Sequence, residues 1–195
     1  LNSGRVSPYF FNLGAVRDGL GFTELGRAYA NAILAAEIEF DVLFGPAYKG
    51  IPIAVATATA LAEQGMHVGV AYNRKEAKDH GEGGQLVGAE VAGRVLLVDD
   101  VLTSGKAIRQ SVDLIAQTDA RIVGTVIALD RAELFAGEVT AVEALASDLG
   151  VPIVSIASVA DIIEHAADAS LRQRMLEYQQ RYCRCLLYTS DAADD

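Results

Sequence analysis

Short, mainly apolar runs recur along this chain: DVLF at 41–44, HVGVAY at 67–72, RVLLV at 94–98, RIVGTVIAL at 121–129 and VPIVSI at 151–156. Apolar runs of this length, lacking polar alternation, fit strands buried on both faces, as in a parallel sheet covered by helices. Between them, apolar residues fall at helical spacing over 23–40 (opening on Thr23 as N-cap), 51–64, 107–117 and 139–149, with one or two polar-faced helices across 159–182. This succession predicts an α/β fold with a mostly parallel sheet flanked by helices. Residues 4–13 (GRVSPYFFNL) set Pro8 among β-formers and predict an edge strand or arm.

One stretch breaks the pattern. NRKEAKDHGEGGQ, residues 73–85, has no large apolar side chain, and Gly81, Gly83 and Gly84 oppose a helix. It holds Arg74, Lys75, Lys78 and His80, the densest group of cations in the chain. A mobile lid that brings positive charge onto a polyanion is expected; a solvated turn with i,i+4 pairs is the plainer alternative. From Arg184, RCLLYTSDAADD has no periodicity, so 184–195 is expected to be a non-native or disordered tail behind a single domain spanning 1–183.

The chemistry concentrates in RVLLVDDVLTSGKAIR, residues 94–109. Asp99 and Asp100 fall at the carboxyl end of a buried strand, where open α/β sheets bind ligands. Ionised carboxylates only accept hydrogen bonds, which suits sugar hydroxyls or hydrated Mg2+. Thr103, Ser104 and Gly105 are small enough for backbone amides to approach an anion at the start of the next helix. Acids for a sugar and amides for its phosphate indicate a phosphorylated ribose. Against this stands the reading that one acid merely braces the loop, since neighbouring strand side chains point opposite ways. SGKA resembles the end of a P-loop, but Asp100 stands where that motif needs its first Gly.

Three other places carry alternatives. GPAYKGIP at 45–52 is either a diphosphate loop with Lys49 as its cation or a plain βα turn. Arg131, at the end of the 121–129 strand, either pairs with a substrate carboxylate or answers Asp130 or Glu133. Phe10 and Phe11 are adjacent and cannot both face a core, so one either stacks on a flat ligand or lies under a neighbouring loop.

With 195 residues, 51% hydrophobic and 22% charged, the chain can bury one sizeable core. No stretch approaches the roughly 18 to 20 apolar residues that cross a bilayer. The opening LNSGR shows no leader, and without an initiator Met we expect chain ahead of residue 1. Cys183 and Cys185 are too close for a staple and too few for zinc, which points to a reducing, cytoplasmic setting. A net charge of −10 weighs against nucleic-acid binding. Anionic substrates then require cations gathered locally, as residues 74–80 gather them.

SGRVSPYFFN, FGPAYKGIPIA, NRKEAKDHGEGG and VLLVDDVLTSGKA stand in one order, and over nearly all of residues 2–182 the chain resembles the orotate phosphoribosyltransferases. The resemblance implies a doubly wound type I phosphoribosyltransferase fold with a small N-terminal hood or arm. It also implies transfer of phosphoribose from PRPP to N1 of orotate in pyrimidine biosynthesis, with Mg2+ held mainly by PRPP, pyrophosphate and water. By position, Asp99 and Asp100 would hold the ribose hydroxyls, while Val101, Leu102, Thr103, Ser104, Gly105, Lys106 and Ala107 would wrap the 5'-phosphate. Tyr48 and Lys49 would line the pyrophosphate side, and Arg74, Lys75, Lys78 and His80 would reach its oxygens. Lys78 and the two acids form the implied catalytic set; Phe10, Phe11, Thr103 and Arg131 would meet orotate. A homodimer follows, its lid reaching the neighbouring site. Two departures stand out: Asn2 where the family carries Lys, which predicts weaker binding or low activity, and Lys106 where a small hydroxyl residue is common. Nothing in the phosphate machinery excludes a transferase of another base, for which Phe10, Phe11 and Arg131 are the discriminating residues, and Asn2 with the missing start leaves room for a catalytically weak or dead PRPP-binding regulator.

Overall fold

Val95, Leu96, Leu97 and Val98 are all fully buried in β4 (Arg94–Val101), but they divide between two cores. Leu96 and Val98 join Tyr29, Ile33, Leu43, Ile53 and Leu61 on one side of the sheet. Val95 and Leu97 join Phe44, Ile108, Ile115, Ile127 and Leu145 on the other. Opposite side chains of one strand are thus covered by different helices, which is why the sequence shows an apolar run and no alternation. Each such side chain contributes about 1.5–3 kcal/mol by leaving water.

In the computed structural model, which describes residues 5–78, 84–102, 105–136 and 139–184, the chain runs as follows. Helix α1 (Gly19–Ala35) leads to β1 (Val42–Gly45), α2 (Gly50–Glu63), β2 (Gly69–Lys78), β3 (Gly84–Gly88) and β4. Then come α3 (Lys106–Ile115), β5 (Arg121–Asp130), a small ribbon of β6 (Leu134–Ala136) and β7 (Val139–Thr140), and α4 (Ala141–Leu149). Strand β8 (Ile153–Ser158), α5 (Val159–His165) and α6 (Ala169–Tyr182) complete it.

Among the described residues the main sheet is six-stranded in the order β3-β2-β1-β4-β5-β8. Every pairing is parallel except β2 with β3, which is antiparallel. Strand β1 is followed by β2 on one side and has β4 on the other, in the register Val42↔Val95. The chain reverses its direction of winding there, so the loops leaving β1 and β4 diverge and open a crevice at their carboxyl ends. The doubly wound, mostly parallel architecture agrees with the sequence reading.

Local details depart from it. Helix α1 begins four residues before Thr23: Asp18 is its cap, accepting from the Gly21 amide at 2.8 Å, while Thr23 Oγ1 donates back to the Gly19 carbonyl at 2.8 Å. The helix ends at Ala35 because Glu37 turns left-handed (φ 53°), leaving Phe40 to pack as a linker residue. The polar stretch from Asn73 is not loop at its start: β2 runs on to Lys78 and pairs with β3 as a hairpin. Residues 5–12 form an arm and no strand, ending in a 3-10 turn at Leu13–Ala15. Pro8 lacks an amide, and the Ser7 hydroxyl donates to the Tyr9 carbonyl at 2.7 Å, closing a local turn that competes with strand pairing.

A third, smaller core joins α5 and α6 to the arm, with Val159, Ile163 and Met175 packed against Tyr9 and Ala132. The last described residue, Arg184, donates its amide to the Ala132 carbonyl at 2.9 Å and pairs with Glu143. Among the described residues no helix is long and apolar enough to cross a membrane.

Candidate active site

The crevice between β1 and β4 opens into a cleft of about 860 Å³. Its walls come from four segments: the loop after β1, the β2–β3 hairpin, the tip of β4 and the length of α3.

The first wall depends on two glycines. A Cβ on Gly45 would stand 2.1 Å from the Gly50 carbonyl oxygen, and one on Gly50 would stand 2.7 Å from Pro46 Cδ. Only bare backbone lets β1 fold back so closely onto α2. Within this loop the Ala47–Tyr48 peptide is cis, and the Ala47 amide donates to Asn73 Oδ1 at 2.9 Å. Asn73 thereby ties the loop to the hairpin. Tyr48 is exposed, with Lys75 Nζ 4.5 Å from its ring centroid. Lys49 serves as the N-cap of α2 and makes no side-chain capping bond.

The opposite wall holds the acids. Asp99 Oδ1 accepts from the Asp100 amide at 2.9 Å, and the Asp99 carbonyl accepts from the hydroxyl of fully buried Tyr29 at 2.6 Å. Burial pushes the Asp99 carboxyl up to about 6, reinforced by the neighbouring Asp100 charge and opposed by the Asp100 amide and Lys49. Asp100 Oδ2 lies 2.5 Å from Lys49 Nζ across the crevice. Asp99 therefore braces the strand tip as well as lining the cleft, while Asp100 faces the cation wall.

Beyond the acids, Gly105 takes a left-handed backbone (φ 65°, ψ 10°) and starts α3 with no side-chain cap. Amides at the starts of α2 and α3 thus border the same cleft, and each helix end carries partial positive charge. Amides, cations and two acceptor carboxylates around one cavity suit a sugar bearing phosphate at two places.

Of the sequence candidates, the cleft brings together Tyr48, Lys49, Arg74, Lys75, the stretch from Asp99 to Leu102, and Gly105 to Ala107. Lys106 lies on its exposed margin. The side chain of Lys78 and the residues His80, Thr103 and Ser104 lie outside the described residues, as do Asn2 and 185–195. Phe10, Phe11 and Arg131 do not line this cleft. Phe10 is 81% exposed, whereas Phe11 packs against the Tyr29 core. Arg131 answers Glu133: its Nε and Nη2 donate to Glu133 Oε1 at 2.9 and 2.7 Å, and Nη2 also reaches Ser7 Oγ at 3.0 Å. Sequence reasoning missed Asn73 as a tether, Tyr29 as a brace, and Gln85, Gln110 and Asp113 on the cleft wall. Asn73 carried a signal, being the first polar residue after an apolar strand.

Asp99 and Asp100 offer carboxylate oxygens, but among the described residues no three His, Cys, Asp or Glu side chains converge to hold a metal ion. Such a donor set suits hydrated Mg2+ shared with a substrate's phosphates better than a cage built by protein alone.

A family model described as phosphoribosyl transferase domain matches residues 15–135. The chain is 52% identical over 177 residues to an orotate phosphoribosyltransferase of Pseudomonas aeruginosa, covering 90% of this chain and 83% of the relative. To that of Pseudomonas putida it is 54% identical over 169 residues, covering 86% and 79%. Among solved structures, orotate phosphoribosyltransferase from Francisella tularensis superposes with a TM-score of 0.83 at 34% identity, covering 94% of this chain and 90% of that one. The Mycobacterium tuberculosis enzyme in complex with PRPP gives a TM-score of 0.63 at 26% identity, covering 83% and 87%.

Proposed function

The chain belongs to the orotate phosphoribosyltransferase family, and on that premise we propose that the β1–β4 cleft moves the 5-phosphoribosyl group of PRPP onto N1 of orotate. The products are orotidine 5'-phosphate and pyrophosphate, on the route to UMP in the cytoplasm. One observation carries this reading: Lys49 and Asp100 face each other across the sheet's switch point, cations on one side of the cavity and sugar acceptors on the other.

Each group then has a task. Asp99 and Asp100 accept hydrogen bonds from the ribose hydroxyls, while backbone amides around Gly105, with Lys106 beside them, take the 5'-phosphate. Lys49, Arg74 and Lys75 meet the diphosphate, joined by Lys78 and His80 as the hairpin closes. Breaking the C1–oxygen bond leaves positive character on the ribose and adds negative charge to the leaving diphosphate. Cations around that group are therefore stabilising in the transition state beyond the ground state. A bound Mg2+, held mainly by the substrate's phosphates and water beside Asp99 and Asp100, would supply further positive charge there. Orotate is nucleophilic as its anion, so the protein's work is to orient it and exclude water, with Arg131, Thr103 and the exposed Phe10 of the arm at the base.

The reading includes a homodimer in which the hairpin of one protomer serves the site of the other. The test is loss of orotate absorbance with PRPP and Mg2+, run beside a panel of other bases. Turnover confined to another base would reassign the substrate; PRPP binding without pyrophosphate release would make the protein a regulator.

A further inference from the structure

Outside the cleft, the most elaborate polar arrangement surrounds Arg131, which is only 9% exposed at the carboxyl end of β5. Three separate segments converge on its guanidinium. Ser7 and Tyr9 come from the arm, with the Tyr9 ring centroid 4.3 Å from Cζ and Ser7 Oγ accepting at 3.0 Å. Glu133 comes from the linker after β5 and accepts from both Nε and Nη2 on a single oxygen, Oε1. Tyr178 comes from α6 and donates its hydroxyl to that same oxygen at 3.0 Å.

Burying an ion pair gives little net stability, because desolvation offsets most of the attraction. A pair held by an added hydroxyl, a ring and a second helix instead fixes one geometry. Glu133 engages Arg131 side-on through one oxygen, so it takes the Nε and Nη2 donors and not those on Nη1. Of the five donor hydrogens of an arginine, Glu133 and Ser7 take the one on Nε and both on Nη2, so an incoming acceptor meets the Nη1 group. The same contacts fasten the arm, and with it Phe10 and Phe11, to β5.

We propose that Glu133 and Tyr178 are positioning residues for the base subsite: they lock Arg131 against Tyr9, so that the guanidinium Nη1 group and Phe10 of the arm meet orotate in a fixed relation. This rests on the reading above that Arg131 and the arm serve the base. It adds that selectivity for a carboxylated pyrimidine depends on two side chains that do not touch it.

The experiment compares steady-state kinetics of wild type, Arg131→Lys, Glu133→Gln and Tyr178→Phe, with a thermal melt of each. Glu133→Gln is expected to raise KM for orotate about tenfold, the worth of a hydrogen bond to a charged group, and Tyr178→Phe about threefold. KM for PRPP and kcat should stay within about twofold of wild type, since the β1–β4 cleft is untouched. Tyr178→Phe removes one hydroxyl from a helix side chain, so it keeps the test usable if Glu133→Gln does not fold. Unchanged orotate KM in folded Tyr178→Phe and Glu133→Gln, while Arg131→Lys raises it, would overturn the positioning role alone. A parallel rise of both KM values, tracking the melting temperature, would also overturn it by reducing the cluster to a structural one. Wild type that consumes no orotate, or Arg131→Lys with wild-type orotate KM, would remove the underlying base-site reading and this inference with it.

Discussion

Lys49 Nζ lies 2.5 Å from Asp100 Oδ2, joining the loop after β1 to the tip of β4 across the point where the sheet reverses its winding. The lysine side chain is 63% exposed and the carboxylate 15%. A pair so open on one side contributes at most about 1 kcal/mol to the fold, which leaves both charges free to be redirected by a ligand. In the proposed reaction a polyanion entering the cleft would compete for Lys49 and release Asp100 to accept from a sugar.

Lys49→Ala is therefore expected to melt near the wild-type temperature and to lose about 10- to 100-fold in kcat/KM for PRPP, equivalent to roughly 1.4 to 2.8 kcal/mol. Asp100→Asn should raise KM for PRPP by a similar factor. Initial rates at varied PRPP measure both. Wild-type PRPP kinetics in either variant would return that residue to a bracing role.

Asp99 gives a pH signature. Its carboxyl titrates at about 6 in the folded protein, chiefly through burial, against an ordinary value of 3.8. Between those values the folded chain holds a proton that the unfolded chain has released. The stabilising effect of that proton is complete below the unfolded value and is lost as pH rises through about 6. Asp99→Asn, which stays neutral, should exceed wild type in stability by roughly 3 kcal/mol at pH 8 and by little at pH 4. It should also turn over PRPP poorly. Urea melts at the two pH values give the comparison, and an equal gap at both would show that the buried charge is not the cause. Wild-type activity should fall below pH about 6, as the acceptor takes up its proton.

The glycines separate two kinds of freedom. A Cβ at Gly45 would meet the Gly50 carbonyl oxygen at 2.1 Å, and backbone cannot step aside cheaply. Gly45→Ala should cost about 1–3 kcal/mol or more and distort the loop that carries Lys49. Gly19, at the first position of α1, has nothing within 4 Å of the same added atom. Gly19→Ala should instead stabilise by about 0.4–1 kcal/mol, through the unfolded chain. Denaturant midpoints of the two variants should move in opposite directions.

The proposed exchange of hairpins between protomers can be tested by mixing. Lys78→Ala and Asp100→Asn, each at about a tenth or less of wild-type activity alone when PRPP is held below its KM, should recover about a quarter of wild-type activity after joint refolding, because half the dimers are mixed and each holds one intact site. No recovery, with a dimer still seen by sedimentation, would place Lys78 in its own protomer's site.

Much of this molecule was readable before folding. Unbroken apolar runs marked strands buried on both faces, Asp99 and Asp100 necessarily fell at the end of one, and the cations were concentrated in one polar stretch. These are local facts, set by which side chains leave water and by the period of the backbone. The hairpin was less legible. Strand β2 continues to Lys78 through polar residues because its bonds are backbone bonds to β3, and side-chain polarity says little about a ribbon largely open to solvent. Tertiary structure alone decided which charges meet: Lys49 with Asp100, 51 residues apart, and Arg131 with Ser7, 124 residues apart. A sequence lists ionisable groups without their distances, whereas Coulomb attraction and hydrogen bonding depend on distance and burial, which only the assembled sheet and its helices provide.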